Sequence, residues 1–315
     1  MTIVNVVGSV GESQAINGWR AWVGVTRAPF LILTPLCVFL GSAVAWLAQG
    51  QVHWPTFGWV LLGALMAHIA VNALNEYEDF RSGLDSLTER TPFSGGSGTL
   101  PTAPRFARLA LLTGIFALLL TVSIGSYLAI QRGALLWGWG VAGVLIIVTY
   151  TRWINKHPLL CLLAPGVGFG WLMVTGTEYS LTGQLSLQGA LVALVAGMAA
   201  SNLLLLNQIP DADADRQIGR HHIVIAAGKK FSARLFVGIQ ILMWLTILVG
   251  VLVRVLPVAS LLTLLLAGLG WPIARGVLLH YDTVPRLIPS MGLNVLFTLS
   301  MPLILGISLL AATSL

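Results

Sequence analysis

Eight of the chain's 11 acidic residues fall in two short segments, five between Glu76 and Glu89 and three between Asp211 and Asp215. The first segment reads Asn72-Ala-Leu-Asn75-Glu-Tyr-Glu-Asp79-Phe-Arg-Ser-Gly-Leu-Asp85. His68, Asn72, Asn75 and Asp79 recur at i, i+4, i+7 and i+11, which places them on one helical face. Ser82-Gly83 is expected to end that helix, so that the chain can turn Asp85 back toward Asp79. The second segment reads Asn207-Gln-Ile-Pro-Asp211-Ala-Asp-Ala-Asp215-Arg216. Asn207, Asp211 and Asp215 again share a face, whereas Asp213 lies about 160° round the helix from Asp211. Pro210 is expected to kink this helix and free a carbonyl. Carboxylate and amide oxygens grouped in this way suit Mg²⁺, which prefers oxygen ligands and commonly bridges a few carboxylates to substrate phosphates.

The elements that carry these segments are set by composition. Of 315 residues, 57% are hydrophobic and only 9% charged, against about 25% charged in a soluble domain. The mean hydropathy is +0.88. A soluble enzyme, a disordered chain, collagen and a coiled coil are excluded. Continuous apolar runs without period-2 alternation exclude a β-barrel too. The expected fold is all-α: a polytopic bundle of nine transmembrane helices around a central cavity open to the cytoplasmic side. The spans are read at 28–48, 57–78, 105–129, 133–151, 158–176, 187–209, 232–254, 256–278 and 289–312. One membrane domain, 1–315, is expected, with residues 1–27 as a cytoplasmic lead-in and no cleavable signal peptide. Gly166-Val-Gly168-Phe-Gly170 suits close helix packing in lipid. Cys37 and Cys161 both fall inside apolar runs and are expected as free buried thiols.

Of the 17 Lys and Arg residues, all but Arg132 and Arg254 precede the first span or follow an even-numbered one. That asymmetry places the N-terminus and both acidic segments in the cytoplasm. In a bacterium the chain would sit in the inner (cytoplasmic) membrane. It also accounts for the net charge of +6 without a nucleic-acid partner. Inside a membrane the polar stripe must face a protein cavity and not lipid. Both acidic segments lie at helix C-termini, where the macrodipole disfavours carboxylates, so a cation must offset them. Arg81, Arg90, Arg216, Arg220 and Lys229 are close enough in sequence to contribute.

These two segments resemble the paired aspartate-rich motifs of the UbiA-type intramembrane prenyltransferases. Asn75-x3-Asp79-x5-Asp85 is similar to the MenA-like branch, which acts on 1,4-dihydroxy-2-naphthoate. Asn207-x3-Asp211-x3-Asp215-Arg-x2-Gly219-Arg220, followed by Gly228-Lys229, matches the second motif, and the resemblance covers nearly the whole chain. It implies Mg²⁺-assisted transfer of a polyprenyl group from its diphosphate to an aromatic acceptor, within membrane lipid, as a step of menaquinone synthesis. It assigns Asn75, Asp79, Asp85, Asn207, Asp211 and Asp215 to Mg²⁺. Diphosphate or acceptor would meet His68, Asn72, Asn75, Arg81, Arg90, Asn207, Arg216, Arg220 and Lys229. Tyr150, Arg152 and Lys156, after the fourth span, stand where relatives carry a Tyr and a Lys that serve diphosphate or acceptor. Asp79, Asp211, Asp215, Arg90 and Lys156 are the expected catalytic group. Thr91–Gly98 could offer backbone amides to phosphate or be a flexible loop, and His221-His222 could be ligands but, since Mg²⁺ does not prefer imidazole, is read as a solvated loop pair. His68 could wall the cavity or make an interhelical hydrogen bond. The acceptor alternatives are 4-hydroxybenzoate, homogentisate and a tetrapyrrole. The alternative from another class is a cation-coupled transporter.

Overall fold

A computed structural model describes residues 16–312, and these are mostly helical, with no strand among them. A short helix α1 (Gly18–Val25) comes first. It is followed by α2 (Ala28–Gln49), α3 (Trp54–Ser82), α4 (Pro104–Arg132), a shorter apolar α5 (Ala134–Thr149) and α6 (Pro158–Thr182). The chain ends with α7 (Leu187–Gln217), α8 (Lys229–Leu252), α9 (Val258–His280) and α10 (Val284–Ala311). Eight of these, all but α1 and α5, are long and apolar enough to cross a membrane, so the protein is a polytopic membrane protein. The expected span 133–151 is α5, whose 16 residues rise only about 24 Å, against about 30 Å of hydrocarbon. Of the expected lead-in 1–27, residues 1–15 lie outside the described residues.

Helix α7 is the most enclosed element and packs against α6, α8 and α10, while α3 lies along α4 and α10 along α2. The close packing expected at Gly166 and Gly170 is present: a Cβ on either would fall within about 3 Å of the α7 backbone at Gly197 or Ala193. This stretch of α6 is wound as a π-helix over Gly166–Thr175. Both cysteines are free and buried.

Two helices outrun the bilayer. With 29 and 31 residues, α3 and α7 rise about 44 and 46 Å. Their C-terminal turns lead into or carry the two acidic segments. Pro210 sits inside α7 without ending it.

Candidate functional site

Helix α3 stops where Gly83 takes a left-handed conformation, φ 78°, a backbone state that glycine adopts without steric cost. The chain then turns into a single helical turn, Leu84–Leu87, and Asp85 joins Asp79 on the wall of one cavity. Helix α7 continues unbroken through Pro210, and its Asn207, Asp211 and Asp215 face the same cavity. The two segments therefore converge. Asp213, on the other side of α7, is exposed and pairs with Arg216 and Lys229, each at 3.5 Å.

Arg220 joins the segments physically. Its Nη1 donates to Asp215 Oδ1 at 2.9 Å, and its Nη2 donates to Asp79 Oδ1. Burial alone would lower its pKa, but Asp79 and Asp215 more than reverse this, so the guanidinium is held charged. The second oxygen of Asp215 meets His222 Nε2 at 2.9 Å. A second hub lies beside it. Arg27 donates to Glu76 Oε1 (2.7 Å) and Asn75 Oδ1 (3.1 Å), and the Asn75 amide donates to Thr151 Oγ1 (3.1 Å).

The Thr91–Gly98 segment is tied to the second hub and to Asp211 of α7. The backbone N–H of Ser97 donates to Glu76 Oε1 (2.9 Å) and that of Gly95 to Asp211 Oδ2 (3.1 Å). Arg90 lies at the cavity mouth with its guanidinium against Gly98, filling the place a Cβ would take. Asp85 is pushed up to about 7 by burial and by the neighbouring Glu76 and Asp79 charges.

Buried oxygens without partners test whether a divalent ion fits here. Asp85 Oδ2, Asn207 Oδ1 and Asp211 Oδ1 have none, and all three residues line the cavity. Hard oxygen acceptors left unsatisfied in this way suit Mg²⁺. Among the described residues, however, no three His, Cys, Asp or Glu side chains already converge on one point. Arg220 stands between Asp79 and Asp215.

The cavity holds about 850 Å³ and is walled mostly by apolar groups. From Asp79 it follows α3 down to Val60, 19 residues or about 28 Å of helix. Its middle is lined by Ala64, Ala67, Gly143 and Leu172, and by Phe169 and Trp139. His68 does both things expected of it, walling the cavity and bonding Thr34 Oγ1 across to α2 at 2.8 Å.

The structure sorts the expected residues. His68, Asn72, Asn75, Asp79, Asp85, Arg90, Tyr150, Asn207, Asp211, Asp215 and Arg220 line the cavity. Arg81, Arg152, Lys156, Arg216 and Lys229 do not. Arg81 lies over the Tyr77 ring, 5.8 Å from its centroid, on the outer side of α3. Arg152 pairs with Glu78. Lys156 is exposed, because the turn after α5 aims Asn155 inward and the next residue out. The solvated reading of His222 is corrected: it is 1% exposed and bonded to Asp215, while His221 is exposed. Arg27, Glu76 and Asn155 were not singled out by sequence. A charged residue directly preceding an apolar span was the one available signal for Arg27.

The UbiA prenyltransferase family matches residues 21–309 of the chain. The 1,4-dihydroxy-2-naphthoate octaprenyltransferase of Escherichia coli is 27% identical over 237 residues, 71% of this chain and 75% of that protein. The 2-carboxy-1,4-naphthoquinone phytyltransferase of Synechocystis is 21% identical over 256 residues, 81% of this chain and 80% of that protein. A solved UbiA homologue from Archaeoglobus fulgidus, bound to DMAPP and Mg²⁺, has the same fold. It superposes with a TM-score of 0.57 at 12% identity, covering 92% of this chain and 99% of that one.

Proposed function

This chain belongs to the UbiA prenyltransferase family, and from that premise we propose that it transfers a polyprenyl group from its diphosphate to 1,4-dihydroxy-2-naphthoate. The single observation behind the reading is the junction of Asp79 and Asp215 through Arg220 at the polar end of a long apolar cavity. A donor with an anionic head and a lipid-soluble tail needs those two environments end to end. The acceptor is favoured because both relatives above are named for a naphthalene acceptor while their tails, octaprenyl and phytyl, differ.

Asp85, Asn207 and Asp211 offer open oxygens to Mg²⁺, and Asn75, Asp79 and Asp215 would join them on giving up their present partners. The ion would withdraw charge from the departing diphosphate. Arg90 faces the cavity with no carboxylate partner among the described residues, so its fork is available to phosphate oxygens. Asn75 is fixed at both ends of its amide by Arg27 and Thr151. Phe169, Trp139 and Tyr150 present ring carbon to the chamber, where aromatic faces and exclusion of water favour a positive allylic carbon until the acceptor ring attacks.

We further assign the N-terminus and the polar mouth to the cytoplasm, with α5 as a ninth, short span. The distribution of Lys and Arg supports this, since α5 is needed to keep 15 of the 17 on one side. The test is turnover by the purified protein with geranylgeranyl or octaprenyl diphosphate, Mg²⁺ and a panel of acceptors, products being identified by mass. Prenylated naphthoate product that disappears with EDTA is expected. Product only from another acceptor would refute the naphthoate assignment, and no prenylated product from any would refute the whole reading.

A further inference from the structure

Arg220 occupies the ground that a metal ion would need. Asp79 and Asp215 come from different helices, are 5% and 2% exposed, and would repel one another across the cavity. One guanidinium neutralises both. Asp215 has no oxygen left over, since His222 takes the second. Among the fully buried oxygens of the two motifs, Asp85 Oδ2, Asn207 Oδ1 and Asp211 Oδ1 are still open, an incomplete set drawn from both motifs. An incoming divalent ion therefore meets a positive charge already installed between the carboxylates it would bridge.

We propose that Arg220 is a stand-in cation: it holds the two motifs together in the donor-free protein and yields its carboxylates to the divalent ion only when a diphosphate arrives to receive it. This rests on the prenyl-diphosphate reading of the site. The exchange conserves charge pairing. The guanidinium leaves two carboxylates for phosphate oxygens, which it matches equally well, and the ion takes the vacated oxygens. Arg220 sits in the short link after α7, directly after Gly219. Its main chain stays anchored by the bond from its N–H to Asp215 O at 3.0 Å, so the side chain alone has to swing. The consequence is ordered entry. Metal and diphosphate bind as a unit, and each raises the affinity for the other by the same factor.

Mn²⁺ binding followed by electron paramagnetic resonance, on purified full-length protein in detergent, tests this without turnover. In the wild type, Mn²⁺ alone should bind weakly, and inorganic diphosphate should tighten it at least about tenfold, within the usual range of coupling between two ligands. Arg220→Gln should bind Mn²⁺ alone about tenfold more tightly than wild type, with the diphosphate effect largely lost. Arg220→Lys, which keeps the charge but cannot fork, should fall between and serves if the Gln variant fails to fold. Mn²⁺ affinity unchanged or weaker in whichever variant folds would overturn the proposal. If the variants gain Mn²⁺ affinity while the wild type prenylates no acceptor, the exchange stands and the prenyl-transfer reading falls. The reverse pattern rejects only the exchange.

Discussion

The two acidic segments carry similar residues and use them differently. In the second, a single helix runs through Pro210 and displays Asn207, Asp211 and Asp215 along one face. In the first, helix α3 supplies Asn75 and Asp79, and a glycine turn is needed to bring Asp85 to the same wall. Their burdens differ as well. Glu76 is 1% exposed and fully engaged by Arg27 and Ser97; it holds the wall together. Asp211 gives one oxygen to the Gly95 amide and keeps the other open. Proximity in sequence to a motif is thus a poor guide to function within it. The better guide is which oxygens the fold has already used.

The largest effect expected is on turnover. Asp79→Ala and Asp211→Ala should each lower kcat/KM for the diphosphate by more than about 100-fold, since even outer-shell changes at metal sites reach that size. The two should separate in thermal unfolding. Asp79→Ala leaves Arg220 half-paired in a buried site, whereas Asp211→Ala removes contacts to the Ser94-Gly95 loop. A fall in Tm confined to the Asp79 variant would sharpen the contrast; equal falls would break it.

Glu76→Gln should do the opposite, destabilising more than it slows. It removes the charge facing Arg27, and breaking a buried pair commonly costs about 3–5 kcal/mol. Because the Arg27 side chain keeps 27% exposure, solvent screening should bring the loss below that range, to about 2 kcal/mol. Chemical denaturation in detergent would measure it. If Glu76→Gln instead matched Asp79→Ala in lost turnover with unchanged stability, Glu76 would be a ligand and the division drawn here would be wrong.

Much of this was legible from residue spacing. The i, i+4 rows of Asn and Asp on two apolar helices survive in the structure because helical phase is local and both helices stay unbroken through those residues. The exclusion of Asp213 followed from the same 100° step. What spacing could not give was the partner of each charge. Arg27 and Glu76 are 49 residues apart and meet only through packing of α1 and α2 against α3. His222 looked like half of a loop pair, yet the turn after α7 folds it under Asp215 and leaves His221 outside. Lys156 failed for the same reason in reverse. In a turn, one residue of register decides whether a side chain faces the cavity or the solvent.

A smaller, graded effect should come from pH. Burial, with Glu76 and Asp79 nearby, holds the Asp85 carboxyl up at about 7, so near neutrality it is half protonated. A proton on Asp85 competes with a cation, so Mg²⁺ affinity should rise from pH 6 to 8 and level off above. The slope below the midpoint should approach about tenfold per pH unit for one displaced proton. Asp85→Asn should flatten that slope and weaken binding at pH 8. An unchanged slope would assign the proton to another group.

Asp213→Ala should have the least effect, although it lies between two residues expected to be essential. Asp213 is mostly exposed, with 72% of its side chain accessible, and its contacts to Arg216 and Lys229 are long, both 3.5 Å. Exposed pairs of that kind contribute about 0–1 kcal/mol. Both cations also lie off the cavity, so their release brings no charge to the site. Turnover within about twofold of wild type and an unshifted Mg²⁺ dependence are expected, as for a surface substitution away from any special feature. A loss approaching that of Asp211→Ala would mean that α7 rotates on binding donor, exchanging its outer carboxylate for an inner one.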